Sequence, residues 1–165
     1  MKKILAFALA GVMALALLTG CGTGGSASHK SIAKAMADYD NGHERKTAIT
    51  YTSSAELDAL LQTWAADPRF EAVVKAVYTD DALPTIPSGS VPSDKVVYLY
   101  CGKYDKDAGK QAINLNAHSV RISGTSALSL AAVRQIGLIT TSFTDTNGKE
   151  VKVRFAVVVS EIPKP

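Results

Sequence analysis

Two thiols and three imidazoles hold most of the reactive chemistry in this chain: Cys21 and Cys101, with His29, His43 and His118. A cysteine becomes a nucleophile when a base lies within hydrogen-bond reach or a helix start lowers its pKa. His118 is the candidate base for Cys101. Pairing the two across a hairpin of strands 95–101 and 111–118 centres the turn between Gly109 and Lys110 and leaves residues 104–107 inside a strand, which argues against the dyad. Cys101 reads instead as a core thiol, because free cysteine is among the most buried residue types. Asp105-Lys106-Asp107-Ala108-Gly109 opens like a calcium loop. Such a loop needs an oxygen ligand at its fifth position, glycine at its sixth and glutamate at its twelfth. Gly109, Lys110 and Asn116 stand there, so the segment reads as a solvated hairpin loop. The histidines lack the close pairing of zinc ligands. Asp80-Asp81 beside a proline-rich stretch reads as a turn, and no phosphate-binding glycine loop, nucleophile elbow or zinc-protease helix occurs. No catalytic residue, metal site or cofactor is assigned, and the expectation leans away from an enzyme.

Cys21 is different because of what precedes it. Lys2 and Lys3 form a positive start, residues 4–18 an uncharged apolar run, and Leu18-Thr19-Gly20-Cys21 closes it. That is the layout of a secretory signal. It resembles a bacterial lipoprotein signal peptide with its lipobox, over these residues only. The resemblance implies cleavage between Gly20 and Cys21 and a diacylglycerol on the Cys21 sulfur. It also implies a lipid-anchored protein on the extracytoplasmic face of the cell membrane, or in an outer membrane where the host has one. The physics agrees. A membrane span needs ~20 residues to cross ~30 Å of hydrocarbon, and this run is shorter. One acyl chain holds only marginally at ~0.8 kcal/mol per buried CH₂, whereas two or three on one terminus hold durably. A lipidated Cys21 leaves Cys101 without an internal disulfide partner.

The mature chain from Cys21 has 145 residues, enough for one domain with a real core. It is too short for a solute-binding protein with two lobes around a cleft. Lys2 and Lys3 leave with the leader, so sixteen basic residues face 15 acidic ones. Near-neutral charge and the lack of any run of five like charges give no reason to expect nucleic acid.

The elements follow from local pattern. The resemblance implies a signal peptide over residues 1–20 and a lipidated cysteine at 21, composition a flexible Gly/Ser tether to residue 30, and 31–165 are expected as one domain. Ile32, Ala35, Met36 and Tyr39 predict a short helix ended by Asn41-Gly42. Residues 45–52 alternate as a strand. Ser53 and Glu56 fit a capping box for a helix over 54–66; Asp67-Pro68 favours a second helix over 70–78, although Val73-Val74 and Val77-Tyr78 suit a strand as well. The proline-rich stretch 80–94 reads as an exposed loop. From Lys95 the chain reads as sheet: 95–101, 111–117 and 118–123, then a hairpin about Asn147-Gly148. A two-residue turn there sets Leu138 opposite Val157, Ile136 opposite Val159 and Arg134 opposite Glu161. It leaves Lys152 and Arg154 on a wet face, and Gly137 could mark a bulge.

The expected fold class is α+β: a mostly antiparallel sheet of about five strands with one or two helices packed on one face. The expected function is a membrane-anchored extracytoplasmic lipoprotein acting as a non-catalytic binding or interaction domain. Its partners would be the membrane, through the Cys21 lipid, and a protein or envelope polymer. A small envelope hydrolase or transferase and a structural subunit of an envelope complex are the alternatives. Tyr78, Pro84, Pro87, Pro92 and Tyr104 are the candidate interaction surface, aromatic side chains being enriched at interfaces.

Overall fold

The computed structural model describes residues 26–43, 47–87, 94–123 and 130–162. The leader, Gly20, Cys21 and Pro92 lie outside the described residues. In chain order the elements are α1 (His29–Asn41), β1 (Thr50–Ser53), α2 (Ala55–Ala65), α3 (Phe70–Thr79), β2 (Val96–Lys103), α4 (Ala108–Ala117), β3 (Ser119–Ser123), β4 (Val133–Thr144) and β5 (Glu150–Ser160). The strands form one sheet in the order β1-β4-β5-β2-β3. β1 runs parallel to β4, and every other neighbouring pair is antiparallel. The α+β class and its mostly antiparallel five-stranded sheet therefore hold.

The helices number four among the described residues, and they cover both faces of the sheet. β5 is the reason: it is apolar on both sides, and such a strand must be buried on both. Val153, Phe155, Val157 and Val159 meet Leu57, Leu61 and Trp64 of α2 and Phe70, Val73, Val74 and Val77 of α3. Ala156 and Val158 meet Ile32 and Met36 of α1 and Ala112 and Leu115 of α4. Lys152 is exposed as expected, but Arg154 on the same face is only 3% exposed.

One glycine on each face lets a helix lie directly on a strand. A Cβ at Gly102 would sit 2.3 Å from the Asn114 carbonyl of α4, and one at Gly137 would sit 2.5 Å from the Leu57 Cβ of α2. Gly137 marks this close approach and not a bulge, since the β4–β5 register runs through it unbroken.

The helix starts are local chemistry. Ser28 accepts the Ser31 N–H and opens α1 at His29, so residues 26–30, expected within a flexible stretch over 21–30, belong to the fold; residues 21–25 lie outside the described residues. α2 is capped by Ser54, not Ser53: Ser54 Oγ accepts the Leu57 N–H, while Ser53 still pairs with Ile136 in β1. Before α3, Asp67 accepts the Arg69 N–H at 2.9 Å and grips its guanidinium, which holds the Asp67 carboxyl down at about 2.

Residues 111–117 are helix, which overturns the strand reading. Asp107 accepts the Lys110 N–H at 2.8 Å and starts α4. Ala108, Gln111, Ala112 and Leu115 then share one helical face, with the last three buried, while Ile113 is 56% exposed. The alternation of Ile113 and Leu115 imitated a strand; the 3.6 period decides. The same Asp107 cap replaces the solvated hairpin loop expected at 105–109.

The hairpin register also differs by one residue. Asp145 N–H donates to Lys149 O, and Gly148 N–H to Asp145 O, with Gly148 at φ +75°. This is a three-residue loop with a left-handed last residue. An odd loop shifts each partner by one. Leu138 pairs with Ala156, Ile136 with Val158 and Arg134 with Ser160, and Glu161 pairs with Lys95 at 2.7 Å instead. β4 turns over as a result. Ile136 and Leu138 join the α1/α4 core, and Ile139 and Phe143 join the α2/α3 core.

Of the 45–52 strand expected, residues 47–49 precede β1, which begins at Thr50, and residues 45 and 46 lie outside the described residues. Asn41 supplies the partner that a longer strand would have needed: its amide oxygen accepts the Ile49 N–H at 2.7 Å, and its nitrogen donates to Ile49 O at 2.9 Å.

Candidate functional site

Five elements converge on one polar cluster. Asp40 comes from the last turn of α1, Tyr51 from β1, Tyr100 from β2 and Arg134 from the first residues of β4, with Asn116 of α4 close by. Asp40 and Arg134 are 8% and 5% exposed. Arg134 Nη1 donates to Asp40 Oδ2 at 2.6 Å and to the Tyr51 hydroxyl at 2.6 Å, and the Tyr51 hydroxyl donates to Asp40 Oδ2 at 2.9 Å. Arg134 Nε donates to Ala131 O at 2.8 Å, and the guanidinium lies 5.1 Å from the Tyr51 ring centroid. A buried guanidinium is tolerated only when paired and hydrogen-bonded, and here one carboxylate and one phenol engage Nη1 and one carbonyl engages Nε.

Asp40, Tyr98, Tyr100, Asn116, Ser119, Leu130 and Arg134 line an open cleft of about 220 Å³ above this cluster. Arg134 Nη2 has no hydrogen-bond partner among the described residues. The pair is neutral as a whole, yet it presents a donor beside an acceptor, flanked by the rings of Tyr98 and Tyr100, whose centroids are 6.3 Å apart. Burial pushes the Tyr100 phenol up to about 12 against the pull of Arg134. Burial raises Tyr51 as well, with Tyr100 adding to it. Both phenols therefore keep their protons at neutral pH and act as hydrogen-bonding groups, not as bases. The arrangement is suited to holding a small polar group.

The residues singled out by type lie elsewhere. Cys101 is fully buried in the α2/α3 core, and burial pushes its thiol up to about 12, far from a thiolate at neutral pH. Its N–H donates to His118 O, but the His118 imidazole is engaged with Asp80 at 2.9 Å and stacks against Tyr78 at 5.1 Å. His29 meets Asp58 at 2.9 Å, and His43 meets the Tyr39 carbonyl at 2.8 Å. Among the described residues no group of three His, Cys, Asp or Glu side chains could hold a metal ion.

The candidate interaction residues are dispersed. Tyr78 packs between His118 and Phe143 on the α2/α3 side, whereas Tyr104 follows β2 and bonds Ser26 on the α1/α4 side. Pro84 is half-buried and Pro87 buried, and Leu83 and Ile86 pack onto the core, so the described part of the 80–94 loop lies down on the domain instead of standing out.

No protein-family model, curated protein or solved structure matches the chain.

Sequence reasoning missed Asp40 and Arg134. Two signals pointed to them. Asp40 continues the Ile32, Met36 row at i+4, placing a carboxylate on the buried face of α1. Arg134 stands among the apolar residues of β4, where a charge needs a partner.

Proposed function

We propose that the chain is a lipid-anchored extracytoplasmic binding domain. Its leader would be removed before Cys21, the Cys21 sulfur would carry the lipid, and the folded part would hold a small polar ligand, or a polar group of an envelope partner, in the Tyr98–Arg134 cleft. The observation that carries this reading is the order Lys2-Lys3, apolar run, Leu18-Thr19-Gly20-Cys21 at the head of the chain. One further observation supports it. The cleft gathers polar groups from separate elements, with aromatic rings beside them, as ligand sites do. A nucleophilic role for Cys101 has no support, given its burial and raised pKa.

The test has two parts. Mass spectrometry of the mature protein should find Cys21 as its first residue, carrying acyl chains, and Cys21→Ala should leave the membrane fraction. Affinity purification from the protein's own membranes should recover an envelope component with wild type and less with Tyr98→Ala. A mature product without lipid sinks the anchor. Turnover of an envelope substrate with nothing co-purifying sinks the binding reading.

A further inference from the structure

The residues that follow the Gly-rich run are built into one end of the sheet. Ala27 N–H donates to Lys106 O at 3.0 Å, and Ser26 Oγ lies 2.9 Å from the Tyr104 hydroxyl. Arg154 Nη2 donates to Ser26 Oγ at 2.9 Å and to Ala27 O at 3.1 Å. The guanidinium is buried and rests 5.3 Å from the Tyr104 ring centroid, while Lys152 Nζ lies over the same ring at 4.2 Å. Arg154 thus holds down the start of the folded chain.

The sheet and α4 segments at that end are net basic, with Glu71 of α3 also there on the Thr144 N–H. Residues 103–110 and 145–154 carry Lys103, Lys106, Lys110, Lys149, Lys152 and Arg154 against Asp105, Asp107, Asp145 and Glu150. Asp107 and Asp145 are turned in on backbone N–H groups. The remainder of the mature chain is slightly acidic.

Only four residues separate Cys21 from Ser26. Whatever their conformation, they span at most about 18 Å. Arg134 pairs with Ser160, and Ser160 with Val96, at the opposite end of β2. Val96 is eight residues from Tyr104, about 27 Å along a strand. The short leash and the basic rim therefore coincide at one pole, and the Asp40–Arg134 cluster is at the other.

We propose that the Tyr104 end of the sheet lies against the anionic headgroups of the membrane that holds Cys21, with Lys103, Lys106 and Lys110 among the phosphates, and that the Arg134 end faces outward. This rests on the lipid-anchor reading. The leash sets which pole is near the bilayer, and the lysines add a salt-sensitive attraction to anionic lipid.

The test uses the full, acylated protein, its lipid checked by mass spectrometry, in phosphatidylcholine vesicles with a quarter phosphatidylglycerol and a headgroup quencher. A fluorophore is attached at Thr146→Cys, exposed in the hairpin loop at the Tyr104 end, or at Val133→Cys. Val133 is 70% exposed, and the buried Cys101 stays unlabelled. Quenching should be several-fold greater at position 146 than at 133. It should weaken in high salt, in vesicles without phosphatidylglycerol, and in Lys103→Glu with Lys110→Glu. Equal quenching at the two positions of an acylated protein overturns the orientation and leaves the anchor intact. Unchanged quenching without phosphatidylglycerol overturns the headgroup contact. Absence of acylation overturns the anchor and this proposal with it.

Discussion

The carboxylate of Asp58 accepts the main-chain N–H of Leu138 at 2.7 Å, where a longer β1 would have put a carbonyl. β1 stops at Ser53, opposite Ile136, while β4 continues to Thr144. Further on, Glu71 accepts the Thr144 N–H at 2.9 Å. Side chains from α2 and α3 thus close part of an edge that would otherwise template pairing with another chain.

Asp58→Ala should lower stability by about 1–3 kcal/mol, the cost of leaving a half-buried N–H unpaired. The contact of Asp58 with His29 is lost in the same change. Asp58→Asn keeps an acceptor and should lose less. Urea unfolding reads both, and an alanine variant with the wild-type midpoint would show that the edge needs no cap.

The Asp40–Arg134 pair should behave as a buried ion pair. Arg134→Met alone leaves Asp40 uncompensated and should cost about 3–5 kcal/mol. Replacing both partners, Asp40→Leu with Arg134→Met, should cost less than the sum of the single changes. A double-mutant cycle measures the coupling, and strict additivity would refute a direct interaction.

Three glycines should respond to alanine for different reasons. At Gly102 and Gly137 the new methyl meets helix backbone or Cβ at 2.3–2.5 Å, and the sheet and helix must part. A loss of about 1–3 kcal/mol or more is expected there. At Gly148 nothing lies within 4 Å, but φ is +75°. The expected cost is about 1–2 kcal/mol from left-handed backbone alone, and Gly148→Asn should recover part of it. Thermal midpoints rank the three, and tolerance at Gly102 would contradict the α4 contact.

Stability should fall on the alkaline side. Burial raises Tyr100 from 10.0 to about 12 and Cys101 from 9.0 to about 12, and it raises Tyr51 too. The folded state holds these protons more tightly than the unfolded chain does. Their contribution is complete below about pH 9 and is lost as pH climbs toward about 12, because the unfolded chain ionises first. Unfolding midpoints that stay flat across that window would contradict the burial. Tyr104 moves the other way, lowered by its Ser26 bond and by Arg154 and Lys152. It should be the earliest phenol in a spectrophotometric titration, and Tyr104→Phe should remove that first step.

Much of this was legible along the chain because it depends on neighbours in sequence. The Lys2-Lys3 start and the Leu18–Cys21 motif need no fold to be recognised. α1 and α2 announced themselves by apolar spacing, and β5 by its run of valines; α3, whose valines suit a strand as well, was settled by its packing on β5. The faces those helices cover, and the second helical layer, needed knowledge of what lies opposite β5. α4 was misread because Ile113 and Leu115 satisfy a two-residue period locally, while the burial that makes Ala112 and Leu115 partners is set by Gly102 and α1. The hairpin missed its register by one residue because Asn147-Gly148 suits either a two- or a three-residue loop. The left-handed Gly148 and the Asp145 contacts choose between them, and packing on both faces then holds the choice.

The candidate site was the least legible part. Asp40 and Arg134 stand 94 positions apart, and neither belongs to a motif. A charge in a strand or on a helix face states only that it needs a partner. Which partner, and whether the pair is buried, was decided when α1 laid its last turn across the start of β4. Local sequence determined most of the elements and the α+β class, and it carries the leader pattern on which the export proposal rests. Tertiary structure alone decided register, layers and the polar cluster, because those energies come from contacts between residues that the chain itself does not bring close.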